Sequence, residues 1–198
     1  VQGNGIAPAI DVSGGSTPSA IVNGVTTTLT TNGTDLGGVL VGTSITSQLF
    51  TITNSGTAPL NLTGLIVRTT PGANLGDFVV NQPSVTSIAP NGGTTTFTVT
   101  FTPGAIGPRT ATISIPHDGS NPNPYTFAIV GNGIAPAIDV SGGSTPSAIV
   151  NGATTISTTN GTDLGDVFVG TSITSQLFTI TNSGTAPLNL TGLIVRTT

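Results

Sequence analysis

The sequence predicts an all-β protein built of β-sandwich domains in tandem. Three observations carry this. Over residues 94–102 and 109–116, apolar and hydroxyl residues alternate with a period of two, the mark of strands with one oily face. Turn signals such as Asn-Gly and Pro-Gly separate these stretches at roughly 8–12-residue spacing, and no helical period stands out. Finally, residues 1–70 align without gaps with 129–198, and 63 of the 70 positions are identical. The differing pairs are Val1/Ile129, Gln2/Val130, Val25/Ala153, Thr28/Ile156, Leu29/Ser157, Gly38/Asp166 and Leu40/Phe168. The period of 128 exceeds the roughly 20–50 residues of solenoid units and matches one whole domain.

The repeat sets the expected boundaries. Residues 1–5 read as the end of a preceding repeat and a linker, 6–133 as a complete repeat, and 134–198 as the first half of the next. Val1-Gln2 corresponds to Ile129-Val130, the tail of a closing strand, and Thr198 is the equivalent of Thr70. The chain therefore reads as a stretch of a longer array.

In chain order, residues 6–12 (IAPAIDV) read as a short first strand, with Pro8 marking an edge or a start. Residues 13–34 are looser, with turns at Asn23-Gly24 and Asn32-Gly33 and a strand expected over 25–31. Between the copies Thr28-Leu29 becomes Ile156-Ser157. That moves the apolar residue to the opposite face, as an exposed or edge segment tolerates. Residues 38–42 (GVLVG) make a short apolar strand. Residues 45–54 are the central strand, in which Phe50 and Ile52 alternate with Thr51 and Thr53 before the turn Asn54-Ser55-Gly56. A strand carrying Leu60, Leu62, Leu65 and Val67 follows, with an irregularity at Gly64.

Phe78-Val79-Val80 is another short strand. Asn91-Gly92-Gly93 turns the chain into 94–102, where Phe97, Val99 and Phe101 face the core and Thr96, Thr98, Thr100 and Thr102 face out. Pro103-Gly104 ends it. In 109–116, Ala111, Ile113 and Ile115 point in, and Thr110, Thr112 and Ser114 out. His117-Asp118-Gly119 and 121–124 form a loop before the closing strand 125–131. The expected core is Phe50, Ile52, Leu60, Leu62, Phe78, Val80, Phe97, Val99, Phe101, Ile113, Ile115 and Phe127.

Composition excludes several function classes. Charged residues are 5%, against about 25% in ordinary domains. Net charge is −4, and Arg68, Arg109 and Arg196 are the only cations, too few to neutralise a nucleic-acid backbone. No apolar run approaches the roughly 18 residues of a membrane span. There is no Cys, hence no disulfide, and no Lys, hence no Lys–Asn isopeptide crosslink.

The motifs point to a family. PAIDVSG (8–14), GTSITSQLFTITNSGTAPLNLTGL (42–65), TTTFTVTFTPGAIGPRTATISI (94–115) and NPYTFAIVGNG (123–133) resemble bacterial immunoglobulin-like repeats of the ASPM–SPD-2–Hydin (ASH) type. Such repeats occur in large surface proteins of the choice-of-anchor D kind. The resemblance covers the repeat except residues 13–34, which look like an insertion. It implies immunoglobulin-like β-sandwich domains in tandem, in a secreted or surface-attached chain, and no activity.

Candidate chemistry is sparse. His117, the single histidine, stands beside Asp118, but metal sites need three or four converging ligands and no partner is evident. The plainer reading is a turn residue. Nucleophilic catalysis needs a base beside Ser or Thr, and one His per period in a loop argues against an enzyme. Calcium favours clustered carboxylates, whereas Asp11, Asp35, Asp77 and Asp118 are scattered; only a junction site with Asp139 or backbone carbonyls is conceivable. Catalytic, cofactor-binding and metal residues are therefore expected to be none.

The triplets at Asn32, Asn61, Asn160 and Asn189 match the N-glycosylation pattern, which a Thr- and Asn-rich chain produces by chance. The threonine ladders could present a flat hydroxyl array to sugar or ice, or simply reflect β-propensity. The expected function is a structural repeat of a long extracellular protein, forming a stalk or cell-surface filament. Its partners are then adjacent repeats or copies of itself. The alternative is an adhesin repeat that itself binds glycans or surfaces. Residues 134–198 lack counterparts of Phe78, Phe97, Phe101, Ile113 and Phe127, so their apolar face is expected to need strands from elsewhere, by chain continuation or by strand donation.

Overall fold

The computed structural model describes residues 3–63, 68–69 and 74–192. The chain divides into two compact units, Val1–Ile134 and Ala135–Thr198. The structure is all-β: among the described residues the sole helical element is a single 3-10 turn, Leu75–Asp77.

In the first unit the strands are β1 (Ile10–Gly14), β2 (Ser19–Ile21), β3 (Asp35–Leu40), β4 (Ile45–Thr46), β5 (Phe50–Asn54), β6 (Leu60–Asn61), β7 (Arg68–Thr69), β8 (Phe78–Asn81), β9 (Ser87–Ile88), β10 (Gly93–Phe101), β11 (Gly107–Ile115) and β12 (Tyr125–Ile134). One sheet runs β2-β1-β5-β10, with β4 and β8 on opposite edges of the far end of β10. The other runs β3-β12-β11-β7, and β6 pairs with β9. Phe50 of the first sheet stacks on Phe97 at 5.1 Å and meets Phe127 of the second at 5.6 Å. Phe78 stacks on Phe101 at 4.8 Å. These rings, with Ile10, Ile52, Ile113 and Ile129, fill the space between the sheets.

Several expected elements change. The first strand begins at Ile10 instead of 6. Pro8 has no N–H to give the ladder, and the Ala9 N–H goes to the Asn54 side chain. Residues 25–31 form no strand. Val25 makes one parallel bridge with Phe127; then the Leu29 N–H turns to the Thr34 hydroxyl at 2.8 Å, a local side-chain bond that replaces the ladder. Leu29 and Ile156 are both exposed, which explains why the apolar residue can shift between copies. The strand expected at 38–42 starts earlier and pairs in parallel with β12, Val130 against Asp35 and Ile134 against Leu40.

The central strand 45–54 is broken. Phe97 pairs with Phe50 but Thr100 pairs with Thr46, so one extra residue is absorbed over 47–49, a bulge. Val99 there donates to the Ser47 hydroxyl. The strand through Leu60 and Leu62 reduces to β6 and a bridge from Leu62 to His117; Gly64, Leu65 and Val67 lie outside the described residues. The region 13–34 is no loose insertion, since β2 hairpins onto β1 and Ile21, Asn32 and Thr34 are buried. Ser114, expected on the outer face, is buried, because β11 lies inside its sheet. Val80 is half-buried rather than core.

β10 and β11 otherwise carry the expected alternation, with Phe97, Val99, Phe101, Ala111, Ile113 and Ile115 buried. The reversal into β10 uses Asn91 and Gly92, both at positive φ (60 and 96), where glycine is at ease and asparagine is tolerated.

The second unit contains β13 (Ile138–Gly142), β14 (Ser147–Ile149) and β15 (Thr179–Asn182), in the order β14-β13-β15. Its register copies the first: Val140 faces Ile180 as Val12 faces Ile52.

Candidate functional site

The broadest feature of the first unit is a hydroxyl face. Alternation sends one side of β1, β5 and β10 outward, and antiparallel register aligns what it exposes. Asp11, Thr53 and Thr94 stand in one row, and Ser13, Thr51 and Thr96 in the next. Farther along β10, the Asn81 amide donates to Thr98 at 2.9 Å and Thr100 at 3.2 Å. The Thr46 and Thr100 hydroxyls meet at 3.3 Å. The face is polar and carries one charge in these rows, Asp11.

A cleft of about 370 Å³ opens beside it, bordered by Ile10, Val12, Ile21, Asn23, Asn121 and Tyr125. The Tyr125 hydroxyl donates a short hydrogen bond to the Ile21 carbonyl. Burial raises its pKa, the Asp11 charge adds to this, and the Val12 backbone partly opposes it. A phenol held neutral and already donating is a strut, not a base.

His117 is buried, so the turn-residue reading needs correcting. Its backbone bridges Leu62 and donates to the Asn123 side chain at 3.1 Å, and Nδ1 accepts the Gly119 N–H at 3.0 Å. Nε2 is buried without a hydrogen-bond partner. Burial lowers the pKa of His117, partly offset by the Pro122 carbonyl and by Asp118.

Asp118 does not turn toward a shared ligand. Its carboxylate accepts the backbone and side-chain N–H groups of Asn61, at 2.8 and 2.7 Å. Burial acts to raise its pKa, but these bonds outweigh it and the net shift is downward. Asp35 caps the Gly37 N–H at 2.9 Å. Asp77 pairs with Arg109 at 2.5 Å, an ion pair with no counterpart in the sequence reading. Asp139 is exposed on β13. Among the described residues, no three His or Asp side chains gather where they could hold a metal.

The glycosylation triplets fare differently. Asn32 and Thr34 are buried and bonded to each other at 2.7 Å, and Asn61 is engaged by Asp118. Asn160 repeats the bond of Asn32, to Thr162 at 2.6 Å, while Asn189 is exposed.

Sequence reasoning took Asn54 for a turn residue, yet it is the best-satisfied polar group in the unit. Fully buried, it accepts from Gly56 and Ala9 and donates to the Ala58 and Ile88 carbonyls at 2.8 and 3.0 Å.

Residues 27–132 match the family model described as HYDIN/CFA65/VesB-like, Ig-like domain. No match was found among curated proteins. Among solved structures, the chain is similar to a protein of unknown function from Porphyromonas gingivalis W83 at 19% identity. That match covers 65% of this chain and 64% of the other, with a TM-score of 0.42. It is similar to the VesB protease of Vibrio cholerae at 20% identity, over 50% of this chain and 29% of that one, with a TM-score of 0.40. An ASH / PapD-like domain of human CEP192 matches at 16% identity, over 65% of this chain and 87% of that one, with a TM-score of 0.36. The chain thus spans less than a third of VesB and under two thirds of the Porphyromonas protein.

Proposed function

This chain belongs to the HYDIN/CFA65/VesB-like Ig-like domain family, and from that premise we propose that it is a non-enzymatic structural repeat of a long extracellular protein, a stalk or surface filament of tandem Ig-like domains. One observation carries this reading: 63 of 70 positions recur at a spacing of 128 residues, about one domain. Near-identity extends over core and surface alike, as expected where repeats serve one mechanical role. The extracellular setting is supported by the resemblance of the motifs to surface-protein repeats. Asn54, Asp118 and Tyr125 of the first unit are engaged in holding the fold.

The test is to raise antibodies against the β10–β11 hairpin and label intact cells of the source for electron microscopy. Labelled fibres or projections at the surface are expected. Labelling confined to the cell interior would overturn the reading.

The hydroxyl face supports the second reading, an adhesin repeat. Its aligned Thr and Ser rows offer hydrogen bonds to a flat sugar or surface. Binding on a glycan array, lost on replacing Thr51, Thr53, Thr94 and Thr96 together by Val, would favour it over a passive stalk.

A further inference from the structure

The outer face of the first sheet is notched at Asp11. β2 pairs with β1 as far as Val12 against Ile21 and stops there, one residue short of Asp11. The chain leaves the sheet at this point because Asn23 and Gly24 turn it toward β12. Gly24 sits at φ 80 and donates to the Thr126 carbonyl at 2.7 Å, and the Asn23 side chain spans Pro122 and Thr126. Asp11 therefore has no strand neighbour on the β2 side, while Thr53 stands directly opposite it on β5. The loop before β12 bounds the notch, where the Asn121 side-chain oxygen accepts the Ile10 N–H at 3.0 Å. This is the cleft of about 370 Å³ beside the hydroxyl rows, a size found among small-ligand sites.

Three groups on its wall have hydrogen-bonding capacity to spare. Among the described residues, nothing engages the Asp11 carboxylate or the Thr53 hydroxyl. The Asn121 oxygen is committed to Ile10, so both N–H donors of its amide are left over, again without a partner among the described residues. Tyr125 differs: it is buried, its hydroxyl is spent on the Ile21 carbonyl, and it gives the cleft only its ring. Val22, 70% exposed, adds an apolar rim. A charged acceptor, an amide donor, a hydroxyl that does both and an apolar rim suit one kind of ligand well. Adjacent ring hydroxyls of a sugar each donate and accept, and the C–H groups of the ring supply an apolar face. A cation would satisfy Asp11 but leave the amide donors unpaired. An anion would meet the Asp11 charge.

We infer that this cleft is a saccharide subsite that holds a neutral glycan through Asp11, Thr53 and Asn121. The Asp11 carboxylate accepts from sugar hydroxyls, the Asn121 amide donates to a hydroxyl or ring oxygen, and the Thr53 hydroxyl does either. The inference rests on the adhesin reading and deepens it, by placing the anchor of the sugar in the notch at the margin of the hydroxyl rows. From there the glycan extends along the row Asp11, Thr53 and Thr94, across strands about 4.8 Å apart. Sugars that carry a carboxylate are disfavoured by the charge of Asp11.

The test is a titration of the isotope-labelled 198-residue chain, read by its amide NMR shifts, with millimolar probes in separate arms. Mannotriose and cellotriose serve as neutral sugars, trigalacturonate as an acidic one and ethylammonium as a cation. A neutral sugar should shift the amides of Asp11, Asn23 and Asn121, including the side-chain amide of Asn121, and trigalacturonate should bind more weakly. Asp11→Ala should weaken the neutral sugar about tenfold or more, the size of one hydrogen bond to a charged group. The melting midpoint should stay unchanged, since the Asp11 side chain holds no part of the fold. Thr51→Val combined with Thr96→Val, in the row that does not adjoin Asp11, should leave the affinity unchanged. Sugar-induced shifts confined to that row, or an affinity that survives Asp11→Ala, would overturn the subsite while the adhesin reading stands. A response to ethylammonium alone, or trigalacturonate binding as tightly as the neutral sugars, would overturn it too. No response to any probe would overturn the subsite and count against the adhesin reading with it.

Discussion

Buried His117 makes the first unit sensitive to mild acid. Its folded pKa lies below that of a free histidine, because protonation would bury a charge. The unfolded chain therefore takes the proton first, near pH 6.5. Stability is full above that value and declines as pH falls through it toward the lower folded pKa, by at most about 1.4 kcal/mol per pH unit. Melts between pH 7.5 and 5 should show this decline, and His117→Gln should flatten it whatever its baseline. The single histidine makes the experiment clean. Asp118 is shifted in the same direction, so its contribution is likewise lost as pH falls, but only in stronger acid, below the ordinary carboxylate range. On β10, Phe97→Ala or Phe101→Ala should cost about 3–5 kcal/mol. Thr98→Ala on the outer face should cost under about 1 kcal/mol. Equal losses in chemical denaturation would mean that the threonine face is itself covered.

At the scale of elements, period-two alternation made β10 and β11 legible before any coordinates, because each has one buried side and many residues. Shorter strands were harder. β4 and β5 read as one strand because the bulge at 47–49 leaves no residue type behind to announce it. The run 25–31 looked like a strand between two Asn-Gly turns, but Thr34 offered its backbone a nearer partner. His117 and Tyr125 carried no local pattern that tells a buried strut from a turn residue; their partners lie as far as 104 positions away. Gly131 is a similar case. A Cβ there would press into the Phe101 ring, so Gly131→Ala should destabilise the first unit by about 1–3 kcal/mol, read as a lower denaturation midpoint. The all-β content itself predicts a far-UV circular dichroism spectrum without the double minimum of helices.

For the whole molecule, the repeat was legible from identity alone, 63 of 70 positions at a spacing of 128. The difference between the units should show in limited proteolysis. Phe168 and Leu177 are 88 and 87% exposed, whereas Phe50 and Phe97 are buried. Chymotrypsin should therefore cut the second unit first and leave a resistant core ending near Ile134. Mass spectrometry of the early fragments checks this.

The parallel pairing of β3 with β12 also sets a timetable. It joins Asp35 to Val130 and Leu40 to Ile134, so this part of the sandwich waits for the last strand. Such distant, parallel contacts form slowly. During synthesis the first unit would stay unlatched, with its β3 edge bare, until nearly its whole length had emerged, and would then close at once.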